Sequence, residues 1–391
     1  MSRMLSEHQL CFIISRVRMS FKATCLLLSV LSSVLGNVLD NRVDDFWSEL
    51  CSLPPGLRRE IQSYGPIVEK IIEKTTKDFK GETWRSLSEF VDKFGPRMSG
   101  SQSLEDSIDY MVDQMSKAGL DAYTEEATVP NWKRGFEAAT IISPRKTNLP
   151  ILGLGSSVGT VAEGIKGDVV VVETFDELEA LPDSAVTGKI VVFAQKWESY
   201  GKTVKYRSSG SSVAAKKGAV AVLIRSVTPF SLGTLHTGDQ DYEEGVNKIP
   251  AAAITVEDAM MLLRMFRRGE KIVIHICMDD KDLGLTKSRN TIGELKGRKK
   301  DSSVVVVSGH LDSWDVGVGA MDDGGGTFIS WNAVKFLKAM GLQPRRTIRA
   351  ILWTGEEQGY WGARSYQANH SRNEIEEFNF FIESDIGTFM P

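Results

Sequence analysis

Between residues 303 and 391 lie side chains of the types and spacing that bind metal and move protons. SGHLDSWDVG places His310 and Asp312 just past an apolar run, and GAMDDGGG carries Asp322 and Asp323. LWTGEEQG ends in Glu356 and Glu357, and FNFFIESDIGTF reaches Asp385. One imidazole among several carboxylates is a nitrogen-and-oxygen donor set that suits zinc. Two cations about 3.5–4 Å apart need a bridging carboxylate, and Asp322, in a loop whose glycines allow close approach, is the natural one. Asp312 is spaced to accept the second N–H of His310 and fix its tautomer. Of the glutamate pair, one carboxylate binds metal while its neighbour takes a proton from water. Each residue alone has a bland reading: aspartate and glycine form turns, and paired glutamates open helices. Four such coincidences, each behind a buried-type strand, outweigh those readings.

The elements that must position these residues follow from the apolar pattern. Val304 to Val307 are consecutive β-branched residues without polar alternation, as in a strand covered on both faces. Thr347 to Thr354 and Phe378 to Ile382 read the same way. Between the first two, Phe328, Ile329, Ala333, Val334, Leu337 and Met340 recur at helical spacing, with Gly341 as a stop. Strand, helix, strand implies a right-handed crossover and a parallel pair. Ligands in such sheets gather beyond the carboxyl ends of the strands, which is where the candidate residues fall.

These motifs resemble the zinc-dependent aminopeptidase family with co-catalytic metals. FGPRMSGS at Phe94 to Ser101, LGLGSS at Leu152 to Ser157 and IPAAAITVEDA at Ile249 to Ala259 extend the resemblance beyond the site. It implies an α/β zinc exopeptidase fold, a mixed, mainly parallel sheet flanked by helices, incomplete at the C-terminus. It implies two Zn2+: His310, Asp322 and Asp385 on one, Asp322 and Glu357 on the other. Glu356 would be the general base, Asp312 would orient His310, and the Asp322–Asp323 peptide would be cis. The implied reaction is hydrolysis of dipeptides or short peptides with free termini by a metal-bridged hydroxide. The family's last ligand is a histidine beyond the Asp385 position. None of His8, His236, His275 and His370 matches it, so the second site is expected to lack that ligand here. The alternative is a truncated, catalytically impaired member that acts as a binding protein. A single-metal hydrolase using His310, Asp322 and Asp385 is a third reading.

The rest of the chain supplies context. Its 391 residues suit two domains or more. With 51 acidic and 47 basic residues and a net charge of −4, nothing points to nucleic acid or a basic membrane patch. Residues 1–18 read as an extra leader and 19–36 as a signal peptide: Lys22, an apolar run from Ala23 to Leu35, then small residues. That run is short for a membrane span, so no stable anchor is expected after cleavage. Residues 37–60 read as a propeptide by resemblance, and 61–147 as the first part of the catalytic domain. Residues 148–278 resemble an inserted, β-rich protease-associated domain, which binds no cofactor and caps the cleft or supports a homodimer. Residues 279–391 return to the zinc-binding part. Asn369–His370–Ser371 is a glycosylation sequon, which places Asn369 at the surface of a secreted or lysosomal chain. Arg97 reads as structural rather than substrate-binding, and His236 as a surface-loop residue. Of four cysteines, Cys51 and Cys277 remain after signal cleavage, too few for a disulfide framework.

Overall fold

The structure, a computed structural model, describes residues 54–298 and 303–385. The leader, the signal-like segment, Cys51, His8 and most of the propeptide range lie outside the described residues. The chain divides into two units, residues 1–80 and 81–391. The first holds α1 (Pro55–Ser63) and α2 (Gly65–Thr76). Pro66 separates them, because proline lacks an N–H and fits only the first turn of a new helix.

The second unit opens with α3 (Glu82–Phe94), α4 (Gln102–Lys117) and β1 (Asp121–Lys133). The Ser101 hydroxyl accepts the Leu104 N–H at 3.2 Å and caps α4. Leu104, Ile108, Met111 and Met115 form the buried stripe of that helix. The chain then builds a second sheet. Its elements are β2 (Glu137–Ser143), β3 (Thr147–Leu149), β4 (Ile151–Gly153), β5 (Ile165–Val172), α5 (Phe175–Ala180) and β6 (Ile190–Phe193). They continue with α6 (Tyr200–Thr203), α7 (Lys205–Lys216), β7 (Ala221–Arg225), β8 (Ala251–Ile254), α8 (Val256–Arg267) and β9 (Val273–Met278). The strand order is β3-β2-β9-β5-β6-β7-β8-β4. Its sheet begins ahead of residue 148 because β2, the incoming strand, pairs antiparallel with β9, the outgoing one. Both faces are covered: Leu262 and Leu263 of α8 pack on one, Leu178 of α5 and Tyr206 of α7 on the other.

The chain returns through β10 (Lys281–Leu295), β11 (Val304–His310), α9 (Gly326–Ala339), β12 (Thr347–Trp353), α10 (Trp361–Asn369), α11 (Arg372–Glu376) and β13 (Phe378–Glu383). With β1 these form a sheet in the order β1-β10-β12-β11-β13. The fold is the expected α/β class with a mixed sheet and flanking helices. Parallel pairing is confined to β12, β11 and β13; β10 pairs antiparallel with both β1 and β12. Ala350 and Leu352 face α3, α4 and α9, while Ile351 and Trp353 face Tyr366 of α10. Burial on two faces explains the unbroken apolar runs of β11 and β12, and each fully buried large side chain contributes about 2 kcal/mol; β13, expected to be covered likewise, is instead the edge strand, with Phe381 and Ile382 exposed.

The two sheets are clamped beside the β11 loop. Trp132 Nε1 donates to the Ser157 carbonyl at 2.8 Å, and Arg134 grips Asp315 through Nε at 2.7 Å and Nη2 at 2.9 Å. Trp132, Trp314 and Met98 form a small buried cluster. Gly155, in the motif LGLGSS, lies flat against the Trp314 ring, where a Cβ would overlap the indole.

Candidate metal centre

Strand register brings the candidate residues to one edge. His310 ends β11 directly opposite Trp353, so the Glu356–Glu357 loop leaves β12 beside the imidazole. The Leu311 N–H donates to the Trp353 carbonyl at 2.7 Å and fixes that join. On the other side the Ser384 N–H donates to the Ser308 carbonyl at 2.9 Å, which carries Asp385 in. The bare Cα of Gly326 makes this approach possible, since a Cβ there would overlap the Ser384 carbonyl. Asp322 and Asp323 follow in the turn before α9, and the peptide between them is cis, as the resemblance implied.

His310 is fully buried and sets the centre of the site. Its Nδ1 lies 3.0 Å from the main-chain carbonyl of Asp312. A carbonyl only accepts, so Nδ1 carries a proton and Nε2 is the ring atom left to face a ligand. Nε2 faces Asp322 Oδ1 at 3.1 Å, Glu356 Oε2 at 3.7 Å and Asp385 Oδ1 at 3.7 Å. Without a metal, a second proton on Nε2 satisfies these oxygens; a cation would take that proton's place among them. The donor atoms of His310, Asp322 and Glu357 lie within 4.8 Å of one another, as do those of His310, Asp323 and Asp385.

The electrostatics carry the same mark. Burial lowers the proton affinity of His310, but Asp312, Asp322 and Asp385 outweigh it and push its pKa well above the usual 6.5. Burial pushes Glu356 up to about 8; His310 opposes this, and Asp312 and Asp385 add to it. Glu357 is held well above its ordinary value by burial and then by the Asp322 charge. Its Oε1 is buried and has no hydrogen-bond partner. A buried, unpaired carboxylate oxygen is costly, and a metal ion would satisfy it. The donors therefore fit a divalent cation, and their mix of nitrogen and oxygen fits zinc.

His310, Asp322, Glu356, Glu357 and Asp385 thus come together where the sequence placed them. Asp312 differs in detail. Its carboxylate stands 3.7 Å from His310 Nδ1, beyond hydrogen-bond reach. It instead accepts the main-chain N–H groups of Glu356 at 3.1 Å and Glu357 at 3.2 Å. The same residue orients the imidazole through its carbonyl and the glutamate turn through its carboxylate. Asp323 has a role that sequence reasoning misses. It is fully buried, with Oδ2 accepting the His310 N–H at 3.0 Å and Oδ1 the Gly326 N–H at 2.9 Å. Both oxygens are spent on the scaffold, which leaves Asp322, with 53% of its side chain exposed, to face a ligand. The one sequence signal of Asp323 is its place beside Asp322 in a glycine-rich turn.

Arg97 is structural. It is fully buried and donates to the carbonyls of Leu311 (2.7 Å), Gly95 (3.0 Å), Val318 (2.8 Å) and Gly319 (2.9 Å), lashing down the loop after His310. His236 and His370 both lie outside the regular elements but are only partly exposed. His370 stacks on Tyr366 at 4.0 Å and bonds Glu125 at 3.0 Å, at the end of α10. His236 is half-buried against Arg207. His275 lies in β9, as its apolar setting suggested. Asn369 is exposed, which suits the sequon.

Comparison with known proteins agrees with this geometry. Peptidase family M28 matches residues 290–389, and the PA domain matches residues 143–262. Carboxypeptidase Q of Xenopus laevis is 51% identical over 337 residues, which span 86% of this chain and 71% of that relative. Carboxypeptidase Q of Homo sapiens is 48% identical over the same shares. A peptidase M28 precursor from Shewanella amazonensis has a TM-score of 0.77 at 35% identity, covering 82% of this chain and 73% of that one. A zinc aminopeptidase from Bacillus subtilis, with a TM-score of 0.61 at 21% identity over 79% of this chain and 70% of that one, shares the fold. With identity this high over most of both sequences, and with metal-binding residue types at the strand ends, the chain belongs to peptidase family M28 and is a metallo-exopeptidase carrying an inserted PA domain.

Proposed function

We propose that the chain hydrolyses dipeptides or short peptides with free termini, using two zinc ions. The observation that supports this most is His310 Nε2 facing Asp322, Glu356 and Asp385, next to the unpaired Glu357 Oε1. His310, Asp322 and Asp385 would hold one ion, and Asp322 and Glu357 the other, with Asp322 shared. Bound there, zinc supplies Lewis acidity, which polarises a peptide carbonyl and makes water a better nucleophile near neutral pH. Glu356 does the proton work. Its Oε2 accepts the proton of the attacking water and returns it to the leaving amine. Burial suits Glu356 to this task by raising its proton affinity towards neutrality. Asp312 holds the Glu356–Glu357 turn and the imidazole in place. A signal-like segment at 19–36 and the exposed Asn369 support a secretory route, with the finished protein secreted or lysosomal.

The test is Glu356→Gln. The variant is expected to keep two zincs per chain by metal analysis and to lose about 10²–10⁴-fold in dipeptide turnover. Near-normal turnover would refute the role of Glu356. One zinc or none in the unaltered protein would refute the two-ion centre.

A further inference from the structure

The loop that carries Glu356 and Glu357 leaves β12, whose neighbours in the sheet are β11 and β10. Asp312 holds this loop from the β11 side, and a second residue holds it from the β10 side. Main-chain pairing of β10 with β12 ends at Thr291, opposite Leu352. Beyond that point a side chain takes over. Asn290, the next residue along β10, is fully buried. Its Oδ1 accepts the Thr354 N–H at 3.2 Å, and its Nδ2 donates to the Gly362 carbonyl at 2.9 Å. Thr354 opens the loop after β12, and Gly362 lies in the first turn of α10, where the loop ends. One carboxamide thus ties the entry of the loop to its exit.

The neck is drawn tight around that amide. The Gly362 N–H donates to the Thr354 carbonyl at 2.8 Å, and the Trp361 N–H to the Gly355 carbonyl at 2.9 Å. A Cβ on Gly362 would overlap both Asn290 Oδ1 and the Thr354 carbonyl oxygen, so glycine is what lets the exit come this close. The Thr354 side chain is fastened to the same strand. Ser288 Oγ donates to Glu105 Oε1 at 2.6 Å, so the Thr354 hydroxyl donates to Ser288 at 2.7 Å.

Between these ends the backbone is bent hard. Gly355, Gly359 and Tyr360 have φ of +62°, +116° and +62°. Glycine takes such angles freely, but a tyrosine stays there only when its surroundings hold it. The Gly359 and Tyr360 N–H groups both donate to the Glu356 carbonyl, at 2.8 and 3.0 Å. The base is therefore built into a turn that relaxes if the neck opens. A carboxamide suits the neck because it offers an acceptor and a donor side by side without charge. The two partners also fix its orientation, since the Thr354 N–H needs the oxygen and the Gly362 carbonyl needs the NH2.

We infer that Asn290 is a positioning residue for peptide hydrolysis: by closing the neck of loop 354–362 it sets where the Glu356 and Glu357 carboxylates stand. This rests on the peptidase reading, with Glu356 as base and Glu357 as metal ligand. Asn290 acts through the loop, and a shift of about 1 Å in a reacting group is enough to cost on the order of 100-fold in rate.

Asn290→Asp keeps the acceptor for Thr354 and loses the donor to Gly362. In the zinc-loaded variant, kcat on a dipeptide is expected to fall about 10–100-fold at about pH 8, with KM changed less than about threefold. A buried carboxyl holds its proton more strongly than an exposed one, and its protonated form donates again. The ratio of variant to unaltered kcat is therefore expected to rise as pH falls from about 8 to about 6, since the titration of Glu356 is common to both proteins and cancels. Zinc titration of the variant at about pH 8 is expected to show binding about 10–100-fold weaker, because Glu357 is displaced. Hydrogen exchange in the unaltered, metal-free protein tests the neck without any substitution: the Thr354 N–H should exchange as slowly as the N–H groups within β12. Exchange as fast as in an exposed loop overturns the proposal, even if the variant fails to fold. A variant kcat equal to that of the unaltered protein at about pH 8 overturns the positioning role alone, whatever happens to the unfolding midpoint. An unaltered, zinc-loaded protein that cleaves no dipeptide overturns the peptidase reading, and the proposal with it.

Discussion

Replacing Asp312 by asparagine separates two accounts of how the site is held. The fully buried carboxylate accepts two main-chain N–H groups, from Glu356 at 3.1 Å and Glu357 at 3.2 Å. In Asp312→Asn one of those oxygens becomes an NH2 that faces an N–H. One charge-assisted bond disappears, the other becomes neutral, and a buried donor goes unpaired. With about 1.5–3 kcal/mol for each charged bond, about 1 for the neutral one that remains and about 1–3 for a stranded donor, the gross loss is roughly 3–8 kcal/mol. Removing a negative charge beside Glu356 and Glu357 returns part of this, on the order of 1 kcal/mol at the effective dielectric of a protein interior. The expected net cost is at least about 2 kcal/mol. Urea unfolding of metal-stripped protein reads it as a lower midpoint with unchanged slope. Zinc titration is expected to show affinity about 10–100-fold weaker, because the Glu357 ligand is no longer held. In the zinc-loaded protein His310 should keep its Nδ1–H tautomer by NMR, since the Asp312 main-chain carbonyl remains. An unchanged unfolding midpoint together with unchanged zinc affinity would refute the carboxylate's hold on the glutamate turn. A changed His310 tautomer would return the carboxylate to the imidazole.

Two further tests address the join between the sheets. Asp280 is buried beside Glu137, and burial first, then the Glu137 charge, push its pKa from 3.8 to about 7 against the Gly135 N–H and Arg134. The folded state therefore binds this proton more tightly than the unfolded chain. Its contribution to stability is greatest below about pH 4, declines as pH rises towards 7, and is flat above, by at most about 4 kcal/mol. Asp280→Asn should remove that part of the slope when unfolding is followed from about pH 4 to 8; an identical slope in both proteins would rule it out. Gly155→Ala forces a methyl into the Trp314 ring and should cost about 1–3 kcal/mol in denaturant unfolding. A variant as stable as the unaltered protein would show that this contact has slack.

Part of the site is legible in the sequence because it is local. Val304 to Val307 and Ala350 to Trp353 have to be strands covered on two faces, since their apolar runs lack alternation and the neighbouring α9 carries its own apolar stripe. Parallel pairing of β11 and β12 then follows, and with it the convergence of His310 and the glutamate pair. Other features depend on groups distant in sequence. The carboxylate of Asp312 meets N–H groups of Glu356 and Glu357, and no spacing rule states that distance. Asp322 and Asp323 are the same residue type side by side, yet one is open to a ligand and the other is spent on main-chain N–H groups. His236 reads as a plain loop residue, because nothing near it in sequence announces the Arg207 guanidinium beside its ring. The sequence by itself determined which residue types stand at the strand ends, since burial and periodicity are written into each short segment. Only the tertiary structure decided which oxygen faces a cation and which holds the scaffold, because that depends on where separate segments meet.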